Sequence, residues 1–208
     1  MKRLLFTAEM AIAYLEGRKK QTRRVITASE QHKLAQKYGW KYFTEWPSPY
    51  GEPGDRVVLL GSWAVPAEYD DKKPSELPED VPMWNIYHGN EAPLNYGRKR
   101  VGRFVPKFLY HNFPQPRIVW TRNEHIQSIS EDDAFAEGIN DESGDYNRAE
   151  HYMIAGSGIQ GGCPAVFCFA GLWDSINGKR YPWEDNPPVR VIRFEQGAKA
   201  PGRNNEQH

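Results

Sequence analysis

Glu16-Gly17-Arg18-Lys19-Lys20-Gln21-Thr22-Arg23-Arg24 joins the first apolar helix of the chain to its second strand. How this stretch is read decides the fold. Upstream, Lys2–Phe6 has the composition of a short strand, and Thr7 offers a hydroxyl to cap the helix that follows. Ala8–Glu16 carries Met10, Ile12, Ala13, Tyr14 and Leu15 on a broad apolar face, and Gly17 stops it as a C-terminal glycine does. Downstream, Val25-Ile26 opens a strand. A basic turn over 18–24 is predicted between the two.

Moving outward, residues 28–50 hold a short polar helical stretch and then Tyr38, Trp40, Tyr42, Phe43 and Trp46. Gly51–Asp55 is a turn cluster, and Arg56–Trp63 reads as a Val- and Leu-rich strand. Residues 66–103 read as a long irregular insertion broken by Pro66, Pro74, Pro78, Pro82 and Pro93, with Trp84, Tyr87 and Tyr96 favouring a packed state. Pro116–Arg122 and Glu124–Ser128 are strand-like, with a turn or bulge between them. Ser130 caps a helix ending at Glu137-Gly138, and Asp133 completes a capping box. Ala165–Asn177 is the most regular helix, with Val166, Phe169, Leu172, Trp173 and Ile176 at helical spacing. Val189–Phe194 is a last strand. One domain over 1–195 is expected, followed by a disordered tail over 196–208. Helix and strand do not alternate as parallel crossovers require, so a small mixed barrel with peripheral helices fits the order better than a doubly wound sheet.

The chain has 27 basic and 27 acidic residues, so no global field draws it to polyanions. Charge is nevertheless segregated: residues 1–24 hold seven cations against two carboxylates. Arg98, Lys99, Arg100, Arg103 and Lys107 form a second basic cluster, and acids gather between Glu131 and Glu150. Cys163 and Cys168 match no redox or zinc pattern and read as buried free thiols. His88, His111, His125 and His151 have no metal-ligand spacing, and the glycines of 156–162 lack the lysine and context of a phosphate loop. Neither a metal nor a cofactor is expected. With no signal peptide and no apolar run of membrane-spanning length, a cytoplasmic location without membrane contact is the expectation.

Within residues 18–24, cations beside a helix C-terminus have a plain structural reading, since the macrodipole favours them there. A chemical reading also exists. An amine three residues before a hydroxyl, with its pKa lowered by burial and by neighbouring cations, can act as a base toward that hydroxyl.

Gly17, Arg18, Lys19, Thr22 and Arg24 follow the pattern Gly-Arg-Lys-x-x-Thr-x-Arg, which resembles the signature of the ASCH superfamily. Pro53-Gly54-Asp55 resembles the turn before that family's second barrel strand. Ile129–Ile139 resembles its Ser-x-x-Asp-Ala-x-x-Glu-Gly helix, while Phe169–Asn177 and Val189–Glu195 resemble the larger phage and prophage versions. These segments occur in order over almost the whole chain apart from 66–103. One departure is Leu60-Gly61-Ser62-Trp63, where many large members carry Arg-Glu-Thr-Trp.

The resemblance implies an α+β fold, a PUA-like (ASCH) small mixed β-barrel with peripheral helices and long loop insertions, whose cleft takes RNA or a nucleoside. Some small bacterial members hydrolyse N4-acetylcytidine to cytidine and acetate. Matched by position, the catalytic set implied here is Lys19, Thr22 and Glu137, with Arg18, Arg24 and Trp63 as substrate contacts. Thr22 would attack the acyl carbonyl, Lys19 would take its proton, and Glu137 would protonate the leaving nitrogen or hold Lys19. Trp63 could stack on a pyrimidine, with Trp40, Trp84 and Tyr87 as further aromatics of that kind. Two functions are weighed: an amidohydrolase for N4-acylated cytosine nucleosides, and a non-catalytic binder of RNA or modified nucleic acid. A phage accessory protein that contacts another protein through the insertion is a third.

Overall fold

A computed structural model of the chain describes residues 1–89, 91–139 and 165–195. Seven strands and four α-helices are used below. The strands are β1 (Lys2–Leu5), β2 (Gln21–Val25), β3 (Val57–Leu60), β4 (Trp63–Ala64), β5 (Trp84–Asn85), β6 (Ile118–His125) and β7 (Pro188–Phe194). The helices are α1 (Ala8–Leu15), α2 (Ala28–Tyr38), α3 (Glu131–Ala136) and α4 (Ala165–Asn177).

The N-terminal reading is sound up to Gly17. Thr7 caps α1 by accepting from the Met10 amide, and Ala11, Ala13 and Tyr14 form the buried face. Beyond it the expectation changes. Residues 21–25 are not a turn but strand β2, paired antiparallel with β7 from Gln21↔Arg193 to Val25↔Val189. β7 in turn pairs antiparallel with β6. β3 is apolar and buried at all four positions, as a strand covered on both faces must be. It pairs in parallel with β1 along one edge. Its other edge meets the approach to β6, where the Val57 and Leu59 amides donate to the Pro116 and Pro114 carbonyls at 3.1 and 3.0 Å.

Backbone bonds therefore run in the order β1, β3, β6, β7, β2. The fold is α+β. Among the described residues the ribbon does not close into a barrel: β2 reaches β1 only through the Arg24 side chain, whose Nη2 donates to the Leu5 carbonyl at 2.6 Å.

The main core contains Leu4, Phe6, Tyr14, Trp63, Ile192 and Phe194. A second cluster fills the space between α3, α4 and the ends of β6 and β7, centred on Ile126, Phe169, Trp173 and Val189. Glu131 ties the two helices together by accepting from the Ala165 amide at 2.7 Å.

The expected strand over 56–63 breaks at Gly61, and the chain turns away to pair β4 with β5 of the insertion. A side chain at 61 would come within 2.5 Å of Ile86 Cγ2, and Gly102 lies against the Gly61 backbone. Leu60-Gly61-Ser62-Trp63 thus matches the insertion that packs on it. Leu77, Val81, Ile86 and Tyr87 of that insertion are buried in the main core, the three aliphatic side chains each contributing about 1.5–3 kcal/mol by leaving water. Cys168 is half-buried where full burial was expected; Cys163 and the 196–208 tail lie outside the described residues. Among the described residues no helix is long and apolar enough to cross a membrane.

Candidate active site

The linker from α1 to β2 runs along the C-terminal end of α3. The last carbonyls of a helix have no partner within it and carry the negative end of its dipole. Here three successive basic residues meet three successive carbonyls. The Lys20 amide donates to Ala136 O at 2.8 Å, Lys19 Nζ to Glu137 O at 2.8 Å, and Arg18 Nη1 to Gly138 O. Gly138 makes the close approach possible. It has φ +101°, and a Cβ there would lie 2.9 Å from Ala13 Cβ and 3.2 Å from Lys19 Cβ.

This docking brings Lys19 and Glu137 together. Lys19 Nζ donates to Glu137 Oε2 at 2.8 Å, with side-chain exposures of 2% and 4%. The other carboxylate oxygen accepts from Arg23 Nη1 at 2.9 Å. Arg23 continues the chain of charges, meeting Glu124 Oε1 at 2.7 Å and Asp133 Oδ2 at 2.9 Å. Arg122 closes it by bonding both of those carboxylates. Three cations thus alternate with three carboxylates, from a buried amine at one end to a guanidinium that is 40% exposed at the other. Arg23 also lies over the Phe169 ring at 5.7 Å.

Burial is the largest influence on Lys19 and pushes its pKa down. The charge and hydrogen bond of Glu137 oppose that, Arg24 and Arg23 add to it, and the balance leaves the amine below its ordinary value. Phe6 supplies part of the apolar wall, with its ring 5.7 Å from Nζ. Burial likewise pushes the Asp133 carboxyl up, but Arg23 and Arg122 more than offset it and hold the group below its usual range.

The other expected residues are placed less uniformly. Thr22 lies in β2 and is 1% exposed. Side chains alternate along a strand, so Thr22 shares a face with Arg24 and not with Gln21 and Arg23. Among the described residues its hydroxyl is hydrogen-bonded neither to Lys19 nor to Glu137. Arg24 is half-buried, and its charge acts on Lys19. Arg18 is at the surface, paired with Glu16.

Trp63 must be corrected. It is fully buried, its indole N–H donates to Val101 O at 3.2 Å, and Arg100 covers its ring at 5.3 Å. No pyrimidine can reach it, because the insertion occupies its face. Trp84 is likewise buried, and Lys99 lies over its ring.

Arg23, Glu124, Arg122 and the carboxylate role of Asp133 were not foreseen. Had 21–25 been read as a strand, alternation would have put Arg23 on the face toward α3. The acidic partners, about a hundred residues away, carry no comparable local signal.

An open depression of about 720 Å³ meets this network at Asp133 and is otherwise lined by Arg18, Lys20, Asp132, Phe135 and Arg193 among others. Lys19, Thr22 and Glu137 do not line it. Comparison with protein-family models, with curated proteins and with solved structures finds no match for this chain.

Proposed function

We propose that this chain is an amidohydrolase that releases the acyl group from N4-acylated cytosine nucleosides such as N4-acetylcytidine, on a fold of the PUA-like (ASCH) type. The observation that carries the reading is the buried Lys19–Glu137 pair, in which burial lowers the amine's pKa while the carboxylate fixes its position. A base that works at neutral pH needs both properties. Lys19, in the linker before β2, and Thr22, in β2, lie three residues apart, and both are buried.

In this mechanism the neutral Lys19 amine takes the Thr22 hydroxyl proton as Thr22 Oγ1 bonds to the acyl carbon. The tetrahedral intermediate collapses by breaking the bond from carbon to N4, and the Lys19 ammonium returns the proton to the departing nitrogen. Water, deprotonated by Lys19, then cleaves the acyl-threonine to acetate and free Thr22. Both Glu137 oxygens are engaged by Lys19 and Arg23, which favours a holding role over proton donation to the leaving group. Arg24 is the candidate to stabilise the oxyanion; such a donor is commonly worth about 3–4 kcal/mol.

The test is an ultraviolet assay of N4-acetylcytidine with wild-type protein, Lys19→Ala and Thr22→Ala. Turnover by the wild type alone is expected, with all three proteins folded. The alternative, a non-catalytic binder of RNA, draws on the outer depression, where Arg18, Lys20 and Arg193 line a wall beside the 40%-exposed Phe135. An inactive wild type that binds oligoribonucleotides with a steep salt slope would replace the hydrolase with that binder.

A further inference from the structure

Trp40 differs from the other aromatics expected to stack on a base. Trp63, Trp84 and Tyr87 are buried, whereas Trp40 is 61% exposed, and Tyr38 and Tyr42 beside it are 37% and 42% exposed. Single exposed rings are ordinary on a protein surface, but three within five residues make a patch. Gly39, with φ +83°, turns the chain from α2 into a 3-10 segment over Trp40–Glu45. Trp40, Tyr42 and Trp46 gather around that turn. The Trp46 indole N–H donates to Gly39 O at 3.2 Å, Trp40 leans on Trp46 at 5.2 Å, and a Cβ on Gly39 would lie 3.9 Å from the Tyr42 ring.

Buried polar groups hold the patch in place. Asn123 Nδ2 donates to the Phe43 and Trp46 carbonyls at 2.9 and 3.0 Å. Arg190 donates to Asn123 Oδ1 at 3.0 Å and pairs with Glu30 at 2.7 Å. Rings anchored through such a frame lose little conformational freedom when a ligand stacks on them. The same pairing offsets the charge of Glu30, the only carboxylate of α2. From Gln31 to Thr44 the chain carries Lys33, Lys37 and Lys41 and no acid. All three lysines are exposed. The Lys37 and Lys41 amines lie 5.1 and 4.6 Å from the Tyr38 and Tyr42 rings.

We propose that Tyr38, Trp40 and Tyr42, with Lys33, Lys37 and Lys41, form a docking surface for a single-stranded nucleic acid. Its bases stack on the rings and its phosphates meet the lysines; each unit of a single strand supplies both groups. Lysine is depleted from protein–protein interfaces, which argues against a protein on this face. A membrane would need an apolar helix face to enter it, and the one large aliphatic residue of α2, Leu34, is half-buried. None of the six residues lines the outer depression. Binding here requires no chemistry, so turnover of N4-acetylcytidine, present or absent, does not bear on it.

The probe is a fluorescently labelled dodecauridylate, titrated with the full chain by anisotropy. Wild-type protein should bind it, and bind the same strand more weakly once it is paired in a duplex. Trp40→Ala and Tyr42→Ala should each weaken binding about tenfold, while Trp40→Phe keeps it within about threefold. Changing Lys33, Lys37 and Lys41 together to Gln should lower the slope of log affinity against log salt by about 2. Those lysines are exposed, so the triple variant decides the question should Trp40→Ala, which loses the Trp46 contact, fail to fold. A wild type that leaves the strand unbound, that binds the duplex as tightly, or whose affinity survives all these substitutions overturns the proposal. Loss of binding confined to Arg18→Gln and Lys20→Gln also overturns it, by placing the strand in the outer depression. So does capture by phosphatidylserine vesicles with no affinity for the strand.

Discussion

Glu137→Gln changes one atom type at the centre of the buried chain of charges, and its consequences can be worked out in detail. The wild-type carboxylate gives one oxygen to Lys19 and the other to Arg23, at 2.8 and 2.9 Å, with 4% of the side chain exposed. An amide offers a single acceptor oxygen and turns N–H donors toward whichever cation it does not serve. Arg23 keeps Glu124 and Asp133, so the loss falls on Lys19. Removing one partner of a buried pair costs about 3–5 kcal/mol. Lys19 can limit the cost by shedding its proton, which puts the expectation near 3 kcal/mol. In a chain of this length that lowers the melting temperature by about 6–12 °C.

The pH dependence has a definite sign. In the wild type the folded-state pKa of Lys19 already lies below the ordinary lysine value, and Glu137 is the group that opposes the shift. The substitution removes that opposition, so the folded pKa drops further. Between the two folded pKa values, the unfolded chain and the folded wild type both keep the proton while the folded variant has lost it. The variant therefore gains stability with rising pH in that window, and its deficit shrinks. In the amidohydrolase reading the same shift moves the acidic limb of kcat/KM to lower pH. Urea or thermal unfolding from about pH 6 to pH 10, paired with pH–rate profiles, measures both effects. A melting temperature within about 2 °C of wild type, a deficit that grows with pH, or a limb displaced upward would refute the reasoning.

Three further outcomes are expected. Gly138→Ala places a Cβ at φ +101° against Ala13 and Lys19; it should cost about 1–3 kcal/mol in urea unfolding, and a neutral effect would contradict the close docking of α3 on the linker. Thr22→Ala should remove turnover and Thr22→Ser restore part of it, both staying within about 1 kcal/mol of wild-type stability; unfolding by either would make the hydroxyl structural. Asp133 is held below its usual pKa by Arg23 and Arg122 despite burial. It contributes stability above its unfolded value that is lost as pH falls through the folded one, so Asp133→Asn should flatten the decline in stability below about pH 4.

Elements whose signals are local were readable from the chain. Thr7 before an apolar face marked α1, Ser130 with Asp133 marked α3, and the spacing of Phe169 and Trp173 marked α4. β2 was not readable, because Gln21-Thr22-Arg23-Arg24 has little of the apolar, β-branched character by which strands are recognised. Its cations are carried inside by partners on β6 and α3, which the local sequence does not announce. Trp63 fails for the same kind of reason. A Trp at the end of a strand is open or closed according to what covers it, and Arg100 and Val101 come from the far end of the insertion. Holding Lys19 is one of the two roles that the resemblance implies for Glu137, but the environment of the pair depends on contacts no motif records.

The chain of charges divides into two parts with different reasons to exist. Arg23, Glu124, Asp133 and Arg122 connect β2, β6 and α3, and the guanidinium of Arg23 also covers Phe169. Those contacts hold α3 against the sheet whether or not position 19 carries a charge. Apolar side chains fill buried positions as stably as an ion pair does, often more so, so the structural task does not call for a lysine at the most enclosed end. An amine there costs desolvation free energy and receives in return a fixed position beside Glu137 and a pKa moved toward neutrality. Those are the requirements of proton transfer, whereas capping the α3 carbonyls would be served as well by an exposed lysine. The three basic residues at that helix end make the contrast directly. Arg18 and Lys20 meet α3 from the surface side and line the outer depression, while Lys19 between them is turned inward, onto Phe6.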